Sequence, residues 1–146
     1  MDYNMTPLPP ARDVPAPHGW DYQPHLDPFE AHLGPFFMRE AEGAFEYALL
    51  VDNRHMNARG VAHGGALLTF ADACFGHAIW KATEAICATV SQQSNFVAAV
   101  DEGDFITCRP EVVRKTREII FIRGDFRVQQ KVILTATAIW KIWPKR

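Results

Sequence analysis

Asp72 is the only Asp, Glu, Lys or Arg between Arg59 and Lys81, inside the stretch NARGVAHGGALLTFADACFGHAIW (57–80). If that stretch is helical, spacings of four, three and four place Gly65, Thr69, Asp72 and Gly76 on one face, a stripe of small or polar side chains. A carboxylate in apolar surroundings must find a cation or hydrogen bonds, or take up a proton. No Lys or Arg lies one helical turn from Asp72. A perturbed acid beside a groove of small residues suits a general base or nucleophile; the plainer alternative is an Asp satisfied by backbone N–H groups or a distant Arg. A second element opens the same run: Gly64 and Gly65 directly after His63. Helix N-termini expose unpaired N–H groups and the positive end of the helix dipole, and glycine lets a substrate oxygen come close. His-Gly-Gly is thus an oxyanion site or, more plainly, a flexible junction of loop and helix.

The element that must carry these groups is a long helix from the glycines to about Lys81. Its Leu67, Leu68, Phe70, Phe75, Ile79 and Trp80 do not fit one stripe, which predicts a helix apolar all round and buried. After it, strand-like segments follow at 86–99, 104–116, 117–129 and 131–143, joined by short turns such as DEGD (101–104). Short turns predict that successive strands are antiparallel neighbours. Before it, GAFEYALLVD (43–52) alternates Phe45, Tyr47 and Leu49 with the period of a half-buried strand. The economical architecture is α+β: one antiparallel sheet of five or six strands curled around a single central helix. Pro28 favours the first position of a short helix ending near Gly34. Residues 1–28 hold seven of the ten prolines, which predicts an extended arm ahead of one domain at 29–146.

A chain of 146 residues, 48% hydrophobic, is sized for one globular core. Its net charge of −2 includes no basic block able to neutralise a run of phosphates, so nucleic acid is not expected as a partner. No apolar stretch is long enough to span a bilayer, and the start lacks the basic-then-apolar order of a signal peptide, so the protein is expected to be cytoplasmic and free of membrane. Cys74, Cys87 and Cys108 are odd in number and widely spaced, which fits reduced core cysteines better than disulfides or zinc. His55 and His77 have no metal-ligand spacing, and no metal or cofactor is expected.

Asn57, Gly60, His63, Gly64, Gly65 and Asp72 fit the pattern N-x-x-G-x-x-H-G-G-x-x-x-x-x-x-D. On these residues, and on the later TVSQQSNF and EGD, the segment 43–142 resembles the hotdog-fold acyl-CoA thioesterases of the 4-hydroxybenzoyl-CoA thioesterase superfamily, in the branch that includes the phenylacetic-acid-pathway thioesterases. The resemblance implies a hydrolase of acyl-CoA thioesters that works without a cofactor. It implies Asp72 as general base or nucleophile, the Gly64 amide as oxyanion donor, Asn57 positioning the carbonyl or water, and His63 orienting the loop. Thr89, with Ser91 as its rival, would assist the water or the Asp. It further implies a site shared across a dimer, with Asp from one subunit facing His-Gly-Gly of the other, in a homodimer or a tetramer of two dimers. The CoA phosphates need cations, for which Arg59, Arg109, Arg114, Lys115 and Arg117 are available. Gly65 and Phe96 complete the expected substrate contacts, with Phe96 among the aromatic residues suited to a medium-chain or aryl acyl group. The competing readings are a non-catalytic acyl-CoA-binding protein and a dehydratase of β-hydroxyacyl thioesters.

Overall fold

The computed structural model describes residues 14–24 and 26–145, so the first part of the expected Pro-rich arm, 1–13, lies outside the described residues. The long helix α2 spans Gly64–Thr83 and starts where the sequence places it, with His63 as N-cap. Its C-terminus stops at Glu84, whose left-handed conformation (φ 51°) ends the helical path while its N–H still bonds Trp80 O. Ahead of it come β1 (Asp21–Tyr22), α1 (Pro28–Leu33), β2 (Phe37–Ala41) and β3 (Ala44–Leu50); behind it come β4 (Ile86–Phe96), β5 (Phe105–Cys108), β6 (Glu111–Lys115), β7 (Ile119–Val128) and β8 (Lys131–Trp143).

The sheet is antiparallel throughout, in the order β1-β2-β3-β5-β7-β8-β4, with β6 also pairing β7. It has eight strands where five or six were expected. Two of the extra strands, β1 and β2, lie at one edge. The third arises because Arg109-Pro110 splits the expected strand 104–116 into β5 and β6, as proline removes a ladder donor. The pairing of successive strands also needs correction. β4 pairs with β8, and β5 sits between β3 and β7. The turn at 101–104 does not fold β5 back onto β4; it docks on Val51, with Gly103 N–H bonded to Val51 O (2.8 Å) and Val51 N–H to Asp104 O (2.9 Å). Gly103 permits this with φ +92°. The reason is legible in the side chains. SQQSN in β4 is polar and suits an edge, whereas β8 and β7 carry the apolar residues that need neighbours on both sides.

On β7, Ile120, Ile122 and Phe126 alternate inward, and Phe126 meets Phe70 and Phe75 of α2. The helix is not buried all round, contrary to expectation. Ala66, Leu67, Phe70, Ala71, Ala73, Cys74, Phe75 and Ile79 are buried, while Gly65, Thr69, Asp72 and Gly76 lie on a side that the chain covers only in part.

The described part of the Pro-rich segment is pinned to this frame. Trp20 packs edge-on against Phe105 (5.4 Å) with the Arg39 guanidinium 4.3 Å over its ring, and β1 pairs β2. Asp27 caps α1, accepting from Glu30 N–H (2.8 Å) while Glu30 accepts from Asp27 N–H (3.2 Å). The far end of α1 is held by Arg54, which donates to His32 O and Gly34 O, and by buried His55, whose Nε2 lies 2.6 Å from Leu33 O. His55 Nδ1 accepts from Asp52 N–H (2.9 Å), so Nε2 carries the proton and donates. His55 is thus a structural bolt. No helix among the described residues is long and apolar enough to cross a membrane.

Candidate active site

Asp72 sits half-buried on α2 at a cavity of about 330 Å³. Thr89 Oγ1 donates to Asp72 Oδ1 at 2.5 Å; Ser91 makes no such bond among the described residues. The register slips between Thr89 and Ser91, and this bulge re-aims the β4 side chains where they approach α2. Burial raises the Asp72 pKa, the Thr89 hydrogen bond partly opposes it, and the charge of Asp27 adds to the rise.

The cavity adds walls that the sequence did not connect to Asp72, above all those from the segment before β2 and from β8. Gln23, Asp27 and Glu30 arrive from the segment before β2, and Gly76, His77 and Trp80 from the same helix as Asp72. Cys87 and Thr89 come from β4, with Trp140 of β8 as the floor under Gly76. A Cβ at Gly76 would stand 2.9 Å from the Trp140 ring, so glycine is what lets indole and helix close together. His77 Nδ1 is 2.7 Å from the hydroxyl of fully buried Tyr47. Pro28 marked the start of α1 in the sequence, but nothing local indicated that α1 packs on α2.

Glu30 is pushed up to about 7, first by burial and then by the charges of Asp27 and Asp72, against a backbone hydrogen bond that lowers it. A folded-state pKa above the unfolded one means that ionised Glu30 weighs against folding. That penalty is absent below the unfolded value of 4.5 and complete above about 7. Glu30→Gln keeps an acceptor for the Asp27 N–H and should raise Tm at pH 8 while leaving it nearly unchanged at pH 4. A thermal melt at the two pH values checks this, and an equal shift at both would contradict it.

The other predicted groups lie at the opposite end of α2. His63 Nδ1 accepts from Gly65 N–H (2.8 Å), so the second glycine amide is already engaged. Gly64 N–H has no partner among the described residues, and the Phe96 ring stands over it, 3.0 Å from where a Cβ would be. Asn57 Oδ1 accepts from Arg59 N–H (2.8 Å) and Val61 N–H (3.4 Å), folding the 57–62 loop around Gly60 at φ +80°. Arg59 makes no ion pair among the described residues, whereas Arg109 is engaged by Glu42 and Glu46. Eight residues of helix separate Gly64 from Asp72, about 12 Å along the axis. Within one chain, then, the acid and the free amide do not converge on one carbonyl. Among the described residues no group of three His, Cys, Asp or Glu is placed to hold a metal ion.

One long helix held against a large antiparallel sheet is the architecture of the hotdog thioesterases. Residues 59–134 match the thioesterase superfamily, and the chain belongs to it; by class it is a thioester hydrolase. The Pseudomonas aeruginosa protein PA0474, which carries a provisional esterase name, is 28% identical over 113 residues, covering 75% of this chain and 84% of that one. A variant of the phenylacetic acid degradation protein PaaI from Thermus thermophilus superposes with a TM-score of 0.69 at 25% identity, over 79% of this chain and 98% of that one. A hypothetical thioesterase from Streptococcus pneumoniae, crystallised with coenzyme A, shares the fold with a TM-score of 0.70 at 23% identity, over 76% and 90%.

Proposed function

We propose that the protein hydrolyses acyl-CoA thioesters at sites shared between two copies, with Asp72 of one subunit and the Gly64 amide of the other acting on the same carbonyl. The observation that carries this is the separation of the two groups. A proton acceptor with a raised pKa and an unengaged amide stand about 12 Å apart on one helix, too far to serve one carbon atom. A two-fold partner placed antiparallel along the partly covered Gly65–Thr69–Asp72–Gly76 side would bring each acid to the other's glycine, giving two equivalent sites. The outer edge of β4 supports this reading, being unpaired among the described residues and carrying Val90 (62% exposed) and Phe96 (55%). An edge strand with free ladder groups and two exposed apolar side chains is a template for pairing with another chain. Coenzyme A bound to the Streptococcus pneumoniae relative favours CoA as the thiol. Arg59, exposed and without an ion pair among the described residues, lies beside the His-Gly-Gly loop, where it would meet its phosphates.

In the reaction, Asp72 takes a proton from water as the water oxygen bonds to the thioester carbon. The carbonyl pair moves to oxygen at the Gly64 amide, and collapse expels CoA thiolate to leave the carboxylic acid. In the nucleophilic variant, Asp72 itself bonds to the carbon, CoA thiolate leaves, and water opens the resulting anhydride. Thr89 holds Oδ1 and leaves Oδ2 for either role. Single-turnover hydrolysis in ¹⁸O-water detects the nucleophilic route when label enters the Asp72 side chain, from an anhydride opened at the enzyme carbonyl; trapping of an acyl-enzyme covers opening at the acyl carbonyl, and the general base predicts neither. The encompassing test is a panel of short, medium-chain and aryl acyl-CoAs with free esters as controls. Activity confined to the esters would overturn the reading.

A further inference from the structure

Along β8 the inward-facing residues run Ala136, Ala138, Trp140 and Ile142, all buried, so the row steps from two methyl groups to an indole. The register sets Trp140 directly across from Thr89 of β4, the residue that holds Asp72. From the helix side Gly76, one turn beyond Asp72, comes down on the same ring, which stands 2.9 Å from where a Cβ would be. The indole therefore closes the bottom of the cavity that Asp72, Gly76 and Thr89 also line. That cavity, about 330 Å³, is at the small end of ligand sites, so what bounds it decides what enters. Stability alone does not account for an indole at this place. Its Nε1 is buried without a partner among the described residues, and an unmet buried donor costs free energy that phenylalanine would not.

We propose that Trp140 determines which acyl groups are accepted: its indole is the floor on which the acyl tail ends, so the enzyme takes short or medium acyl chains or a single aryl ring and turns longer chains away. The proposal rests on the thioesterase reading for its reaction, but the floor is tested by measurements of its own. The helix residues that line the cavity run from Asp72 to Trp80, and among the described residues none precedes Asp72. A tail leaving a thioester carbon at Asp72 is thus directed away from the glycine end of α2. Gly76 lies one turn further, about 6 Å along the axis, so the tail meets the contact of Gly76 with Trp140 within a few carbons. The floor is fixed in place. Trp140 is paired on both sides, with Thr89 of β4 and Ile120 of β7, and a close-packed interior leaves the indole no second position. Shortening this side chain would open a void continuous with the cavity, because the surroundings of a truncated core residue collapse only in part.

The test uses the full chain and straight-chain acyl-CoAs from butanoyl to hexadecanoyl in two-carbon steps. The native protein should show a cut-off, a chain length beyond which kcat/KM falls. Trp140→Leu should move it to longer chains. The ratio of kcat/KM for the first chain beyond the native cut-off to that for the last chain within it should rise by about tenfold or more, the value of two further buried methylenes. Trp140→Phe should act in the same direction by less, and it carries the test if the leucine variant does not fold. Phe126→Leu, a comparable loss from the core beside Phe70 and Phe75, should leave the cut-off where it is, which separates the floor from a general loosening. If no acyl-CoA is turned over, calorimetry with non-hydrolysable S-alkyl-CoA thioethers of the same lengths reads the floor by itself. No cut-off in the native protein, one that neither Trp140 variant moves, or one that Phe126→Leu moves equally would overturn the floor while leaving the thioesterase intact. A cut-off that shifts in thioether binding while every thioester stays whole would do the reverse.

Discussion

Asp72→Asn should lower kcat on the best acyl-CoA by roughly 10²–10⁴-fold if Asp72 is the general base, and by more if it is the nucleophile. The substitution is nearly isosteric, so the Thr89 hydroxyl retains an acceptor at 2.5 Å and the packing of α2 is undisturbed. Asp72 is held above its ordinary pKa chiefly by burial, so removing the charge also removes a cost to folding. Thermal stability should therefore hold or rise at neutral pH while activity collapses. That opposition distinguishes loss of a chemical group from loss of the fold. In the native enzyme, kcat should climb with pH through the deprotonation of Asp72, at a pH above that of an ordinary carboxylate, and Asp72→Asn should abolish that limb. Retention of near-native kcat by Asp72→Asn would remove the acid from the mechanism.

How far the sequence goes is best seen at the two ends of this helix. The run from Gly64 to Lys81, its lone acid and its stripe of small residues were readable because helical periodicity is local information. The start of α2 at the glycines follows from the same signal. β2 was missed although Glu42-Gly43, both at positive φ, make a tight turn between two alternating segments. The E-G dipeptide is a weaker hairpin mark than N-G or D-G. The crossing of β4 to the far side of β8 was out of reach, because it depends on which apolar strands need two neighbours. The acidic wall of the cavity was equally hidden. Pro28 signals the short helix, but the approach of Asp27 and Glu30 to Asp72 is set by Trp20 on Phe105 and by Arg54 and His55 on α1, all contacts between distant segments. Asn57 shows the opposite limit. A motif residue named for the substrate has its side-chain oxygen committed to its own loop, an arrangement visible only once the loop is folded.

The Gly64 amide, proposed as oxyanion donor, permits a sharper substitution than is usual for a backbone group. Gly64 is the first residue of α2, the position where proline is best tolerated because its amide has no intrahelical partner. His63, which would precede the proline, already has φ −66° and ψ 131°, the extended conformation that a following proline requires. Gly64→Pro should therefore keep the helix while deleting the N–H, and Gly64→Ala supplies the control. Both add a Cβ against the Phe96 ring, which is more than half exposed and able to turn aside, but alanine keeps the donor. Gly64→Pro should lose about 10²–10³-fold in kcat, the usual cost of one preorganised donor, with Gly64→Ala well above it. Mixing Gly64→Pro with Asp72→Ala then tests the shared site. Each homodimer is inactive, but after complete exchange half the dimers are mixed, and each mixed dimer has one site with both native groups. The mixture should recover about a quarter of native activity if acid and amide come from different chains. No recovery after demonstrated exchange would overturn the site shared between two copies.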